Sequence, residues 1–80
     1  MRPNRVNRPW PVPVQVGADG TPRKVGRLAV RSVREEWLVE DGWWTREPLR
    51  RRYYELVLED GSDVVVFRDP DEDRWYRQRD

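Results

Sequence analysis

The chain has no histidine, no cysteine, one lysine and one methionine, and no apolar run near the roughly 18 residues of a membrane helix. Each absence removes a class of function. Without cysteine there is no disulfide scaffold, no thiol nucleophile and no Cys/His zinc site. Without histidine the usual acid–base group near neutral pH is missing. Ser32 and Ser62 therefore have no imidazole base, and Ser62 follows Asp60-Gly61, which is turn chemistry. Arg2, Arg5 and Arg8 precede no apolar h-region, so no signal peptide is expected and the cytoplasm is the expected compartment. The expectation is a protein that is not an enzyme and has no cofactor.

Carboxylates are plentiful, but their spacing is unpromising for a metal. Asp69, Asp71 and Asp73 open like an oxygen-ligand calcium loop, yet Arg74 stands where that loop needs glycine. A solvated acidic turn is expected, and no metal site. Glu35 and Glu36 are adjacent, so a strand sends them to opposite faces and they make a poor catalytic pair.

What remains is aromatic and charged. Five Trp, three Tyr and one Phe are dense for 80 residues. Large rings bury about 150–250 Å² each and are the obvious core resource. Sixteen basic and 15 acidic residues leave a net charge of +1, and arginine supplies all but one of the basic residues. Residues 1–34 carry a net charge of +7 and residues 35–80 a net charge of −6, because all but one of the acidic residues lie in 35–80.

The length allows one domain. Residues 1–11, with Pro3, Pro9 and Pro11, read as an extended or flexible N-terminal segment, and residues 12–80 as a single small β domain. Trp10 lies between prolines and either docks on the domain or meets a partner.

Val12, Val14 and Val16 alternate before Asp19-Gly20, a strong turn signal. Residues 24–27 form a short strand or a tight bend. Segment 28–37 has two readings. A strand needs a bulge near Arg31-Ser32, because Leu28 and Val30 fall on even positions while Val33 and Trp37 fall on odd ones. A short helix is the competitor, since Val30, Val33 and Trp37 stand at i, i+3 and i+7. The clearest hairpin pairs 53–58 with 63–68 around Asp60-Gly61. Trp75-Tyr76 lies in a closing strand. Short antiparallel strands without a convincing long helix predict an all-β fold, a small barrel or rolled sheet of SH3-like or Tudor-like kind.

From Pro22 onwards, Gly26-Arg27, Trp37, Gly42-Trp43-Trp44, Glu47-Pro48, Tyr53-Tyr54, Phe67-Arg68-Asp69 and Trp75-Tyr76 resemble a small bacterial family of unknown function. Its members often lie beside genes for a damage-inducible, error-prone DNA polymerase. The resemblance implies an accessory role in DNA repair or translesion synthesis, and carries no catalytic residue.

Binding is the expected activity. Trp10, Trp43, Trp44 and Arg46 are the protein-binding candidates, because Trp and Arg are favoured interface anchors. Trp43 and Trp44 are adjacent, so a strand would send one ring into the core and the other outwards. The partner is another protein, with a DNA-repair polymerase assembly and a second copy of the chain as candidates. The alternative is a single-stranded nucleic-acid module using Arg27, Arg31, Arg34, Arg50, Arg51, Arg52 and Tyr53, with guanidinium groups on phosphates and the ring on a base.

Overall fold

The structure, a computed structural model, describes residues 9–41, 46 and 49–78. Seven strands occur in it: β1 (Trp10–Pro11), β2 (Val14–Val16), β3 (Pro22–Val25), β4 (Leu28–Asp41), β5 (Leu49–Leu58), β6 (Asp63–Asp69) and β7 (Arg74–Arg77). No helix is present among the described residues.

The strands form one antiparallel sheet in the order β1-β7-β6-β5-β4-β3-β2. The two outermost strands, β1 and β2, are consecutive in the chain and joined by Val12-Pro13 alone. So short a link requires the sheet to roll until its edges meet. The two link residues clasp both edges: Val12 N donates to Trp75 O at 3.0 Å, and Gly26 N donates to Pro13 O at 2.8 Å. The result is a half-barrel, the all-β rolled sheet that the strand pattern predicts.

Alternation builds the core. Tyr54, Leu56 and Leu58 of β5 point inwards with Val64 and Val66 of β6, and Val25 joins them. Leu56 and Val66 have no exposed surface. Val12, Val14, Leu28, Val30 and Trp75 pack around this cluster. Full burial of each such side chain is worth about 1.5–3 kcal/mol.

The β5–β6 hairpin turns at Asp60-Gly61, as expected. Gly61 adopts φ 87°, in the left-handed region. A Cβ built there meets nothing within 4 Å. The cost of Gly61→Ala is therefore conformational alone, about 1–2 kcal/mol. Urea melts should show a lower midpoint with an unchanged slope; a variant as stable as the parent would contradict the turn geometry.

Segment 28–37 is strand, not helix, and it carries two bulges. The register against β5 shifts between Val30 and Ser32, and again between Val33 and Glu35. The first is the bulge that the parity change requires. The second restores the even parity. Val33 therefore lies level with buried Leu56, whereas Trp37 lies level with Tyr53 on the opposite face. Val33 and Trp37 do not share a face as their common parity suggests.

β4 also parts from β3 early. The two pair only at Lys24–Ala29 and Val25–Leu28. From Arg31 to Asp41, β4 is bonded to β5 on one side and to no strand of the described residues on the other.

Candidate functional site

Register places two side-chain rows across the sheet, one on each face. On the inner face, Leu38 of β4 lies level with Arg52 of β5, Arg68 of β6 and Trp75 of β7. This row borders a groove of about 530 Å³ at the mouth of the half-barrel. Val16 and Gly20 of the β2–β3 hairpin form the opposite wall, and Tyr54 also contributes. Leu38 is 44% exposed and Val16 47%, so the apolar lips of the groove face water.

The cations of the groove are already matched. Arg50 Nε lies 2.9 Å from Glu40 Oε2, and Arg52 Nη1 lies 2.8 Å from Glu36 Oε2. Arg68 Nε donates to Asp73 Oδ1 at 3.0 Å. Exposed pairs of this kind contribute little stability. Their consequence is chemical: each guanidinium has a carboxylate beside it before any ligand arrives. Burial, followed by the Glu36 carboxylate, pushes the Tyr54 hydroxyl above its usual pKa. It therefore stays neutral.

The outer face carries four stacked rings. Trp37 and Tyr53 lie 5.5 Å apart at 13°, Tyr53 and Phe67 4.8 Å apart at 30°, and Phe67 and Tyr76 5.5 Å apart at 18°. They come from β4, β5, β6 and β7, each level with the next. Phe67 is 3% exposed although it points away from the barrel interior. The Arg51 guanidinium covers it, 4.8 Å from the ring centroid. Among the described residues Arg51 has no ion pair, and its Nε is buried without a hydrogen-bond acceptor. Tyr76 donates its hydroxyl proton to Glu72, which raises the Tyr76 pKa.

The predicted binding residues scatter. Arg27 is exposed in the β3–β4 turn. Arg31 and Arg34 sit at the two bulges; Arg31 Nη2 donates to Glu59 O at 2.9 Å, and Arg34 Nη1 to Asp63 Oδ2 at 3.1 Å. Arg50 and Arg52 face the groove, whereas Arg51 and Tyr53 face outwards. The arginines therefore form no single patch, because alternation splits 50–52 and the long β4–β5 ladder separates them from Arg34. Trp10 pairs with Arg77 in β1, is 44% exposed, and has the Arg77 guanidinium 5.8 Å from its ring centroid. Arg46 is exposed. Trp43 and Trp44 lie outside the described residues.

Trp37, Leu38, Phe67, Trp75 and Tyr76 were not among the predicted site residues. Their grouping depends on cross-strand register, which local spacing does not reveal. In the acidic turn, Asp69 Oδ1 accepts from Asp71 N at 2.9 Å and from Glu72 N at 3.2 Å. Among the described residues, no three acidic side chains are arranged to hold a metal ion.

One outward carboxylate gives a pH signature. A hydrogen bond with Asp63, then burial, pushes the Glu55 carboxyl above its ordinary range, with Arg34 opposing. The folded chain thus holds the Glu55 proton more tightly than the unfolded chain. That contribution is complete at acid pH and is lost as pH rises through the carboxylate range. Glu55→Gln should therefore melt higher than the parent at about pH 7, with the advantage vanishing near about pH 3. An equal or larger advantage in acid would contradict the assignment.

The fold and groove define a small all-β module with an open, apolar-lipped cleft and self-neutralised charges. The chain matches no family model, no curated protein and no solved structure in the comparisons made.

Proposed function

We propose that the chain is a non-catalytic protein-interaction module of the cytoplasm that receives its partner in the groove between β4–β7 and the β2–β3 hairpin. One observation carries this reading. The groove exposes Leu38 and Val16 above Tyr54 and Trp75, while Arg50, Arg52 and Arg68 are matched by Glu40, Glu36 and Asp73. Phosphates gain little from guanidinium groups already neutralised, and the carboxylates repel them. An apolar cleft with a balanced charged rim suits a protein segment. The resemblance around Gly42-Trp43-Trp44 and Glu47-Pro48 supports a component of a damage-inducible polymerase assembly as the partner.

A second reading, single-stranded nucleic-acid binding, rests on Arg51 and Tyr53. They share the outer face, and Arg51 has no carboxylate partner among the described residues. The four rings weaken this reading by stacking on one another instead of offering faces to bases.

A photo-crosslinking residue placed at Leu38, and separately at Val65 on the outer face, separates the two. Expected is a discrete protein adduct from Leu38 and none from Val65, with no salt-sensitive binding of a thymidine oligonucleotide. A submicromolar oligonucleotide complex whose salt slope drops by about 0.7 on Arg51→Ala would instead establish the second reading.

A further inference from the structure

We infer that the unpaired edge of β4 is a strand-addition site, and that it takes an extended protein segment in which apolar and basic residues alternate. The inference rests on the protein-interaction reading and supplies its binding mode.

The backbone comes first. Along Arg31–Asp41, β4 is paired on its β5 side only among the described residues. Every second N–H and C=O therefore points into the gap where β3 has splayed away. Natural sheets seldom leave so long an edge open, and an added strand satisfies it by main-chain hydrogen bonds. The same gap opens onto the groove, since Leu38 belongs to both. A segment laid against β4 would enter between β4 and the β2–β3 hairpin.

Side chains then select the segment. Alternate residues of an added strand face inwards, where Leu38 and Val16 are apolar and exposed and where Glu36 and Glu40 are already paired with Arg52 and Arg50. The intervening residues face outwards, beside Glu35 and Trp37. Glu35 makes no ion pair among the described residues. Among the described residues Trp37 is the β4 end of the ring row; it stacks on Tyr53 and is half-buried. A cationic side chain there meets a carboxylate and an aromatic ring together. The stretch Glu35–Asp41 carries four carboxylates and no basic residue. Glu36 and Glu40 are held by Arg52 and Arg50, and a second copy pairing edge to edge would bring no basic side chain of this stretch to Glu35, so it lacks the charge match of a basic segment.

The test uses the full chain, labelled with ¹⁵N, and two synthetic octapeptides, one alternating valine with lysine and one alternating valine with glutamate. At about ten times its Kd, the lysine peptide should slow amide exchange about tenfold at alternate residues of 36–41. The glutamate peptide, and a lysine peptide N-methylated at alternate positions, should leave those amides unchanged. Glu35→Lys, on an exposed side chain, should reverse the preference between the charged peptides. Peptide binding that perturbs Trp37, Tyr53 and Tyr76 but leaves the edge amides unprotected would overturn strand addition while retaining a protein-binding role. Protection that appears without peptide as the chain is concentrated would make a second copy the occupant and overturn the inference. Response to a thymidine oligonucleotide and to neither peptide would overturn both readings.

Discussion

Replacing Phe67 by Ala is expected to unfold the domain as effectively as truncating a residue of the inner core. Phe67 points to the outer face, where a small barrel ordinarily meets water. Yet it is 3% exposed, held between Tyr53 and Tyr76 and covered by the Arg51 guanidinium. Truncating a buried Phe costs about 3–5 kcal/mol. A domain near this size has about 3–5 kcal/mol in all. The variant should therefore show no cooperative melt at room temperature by circular dichroism. Leu56→Ala, from the inner core, should behave alike, and Val39→Ala, on the outer face beside the row, should melt close to the parent. A Phe67→Ala chain melting like the parent would mean that the outer rings do not form a second packed cluster.

The second large effect concerns the β4 bulges. Deleting Arg34 removes the extra residue of the second bulge, and every later side chain of β4 must change face or slip in register. Trp37 would turn inwards and leave Tyr53. Glu36 and Glu40 would turn outwards and leave Arg52 and Arg50. The deletion thus removes the Trp37–Tyr53 stack and both groove ion pairs together and forces the ladder out of register. Arg34→Ala keeps the bulge and removes only the exposed contacts to Asp63 and Glu55. Such pairs are worth about 0–1 kcal/mol. Thermal melts of the two variants should differ widely, with the deletion far below the substitution. Equal melts would show that the bulge does not set the faces of β4.

These bulges also explain where the sequence was legible. The β5–β6 hairpin was readable because Tyr54, Leu56 and Leu58 alternate without interruption and Asp60-Gly61 supplies the turn. Segment 28–37 was ambiguous for a physical reason. The first bulge adds one residue between inward positions, so Val30 and Val33 both point inwards three residues apart and imitate a helix, while Trp37, the third member of that pattern, faces outwards. Parity called for one bulge, and the second had no local signal because it merely restores the original phase. The edge closure through Val12-Pro13 was hidden as well. Nothing in a two-residue link states that its ends join opposite edges of a sheet. The candidate site suffered most. Runs such as Arg50-Arg51-Arg52 look like patches in one dimension, while pleating sends their members to opposite faces. The rows Leu38–Arg52–Arg68–Trp75 and Trp37–Tyr53–Phe67–Tyr76 exist only once the register of four strands is set.

Residue-resolved amide exchange of the free chain tests the half-barrel with its open β4 edge most directly. In β5, flanked by β4 and β6, successive amides from Tyr53 to Val57 should all be protected. In β4 beyond the second bulge, protection should alternate: slow where the amide bonds to β5, and as fast as a turn where it faces the gap. Uniformly slow exchange from Glu36 to Asp41 would contradict the open edge and the recognition mode built on it.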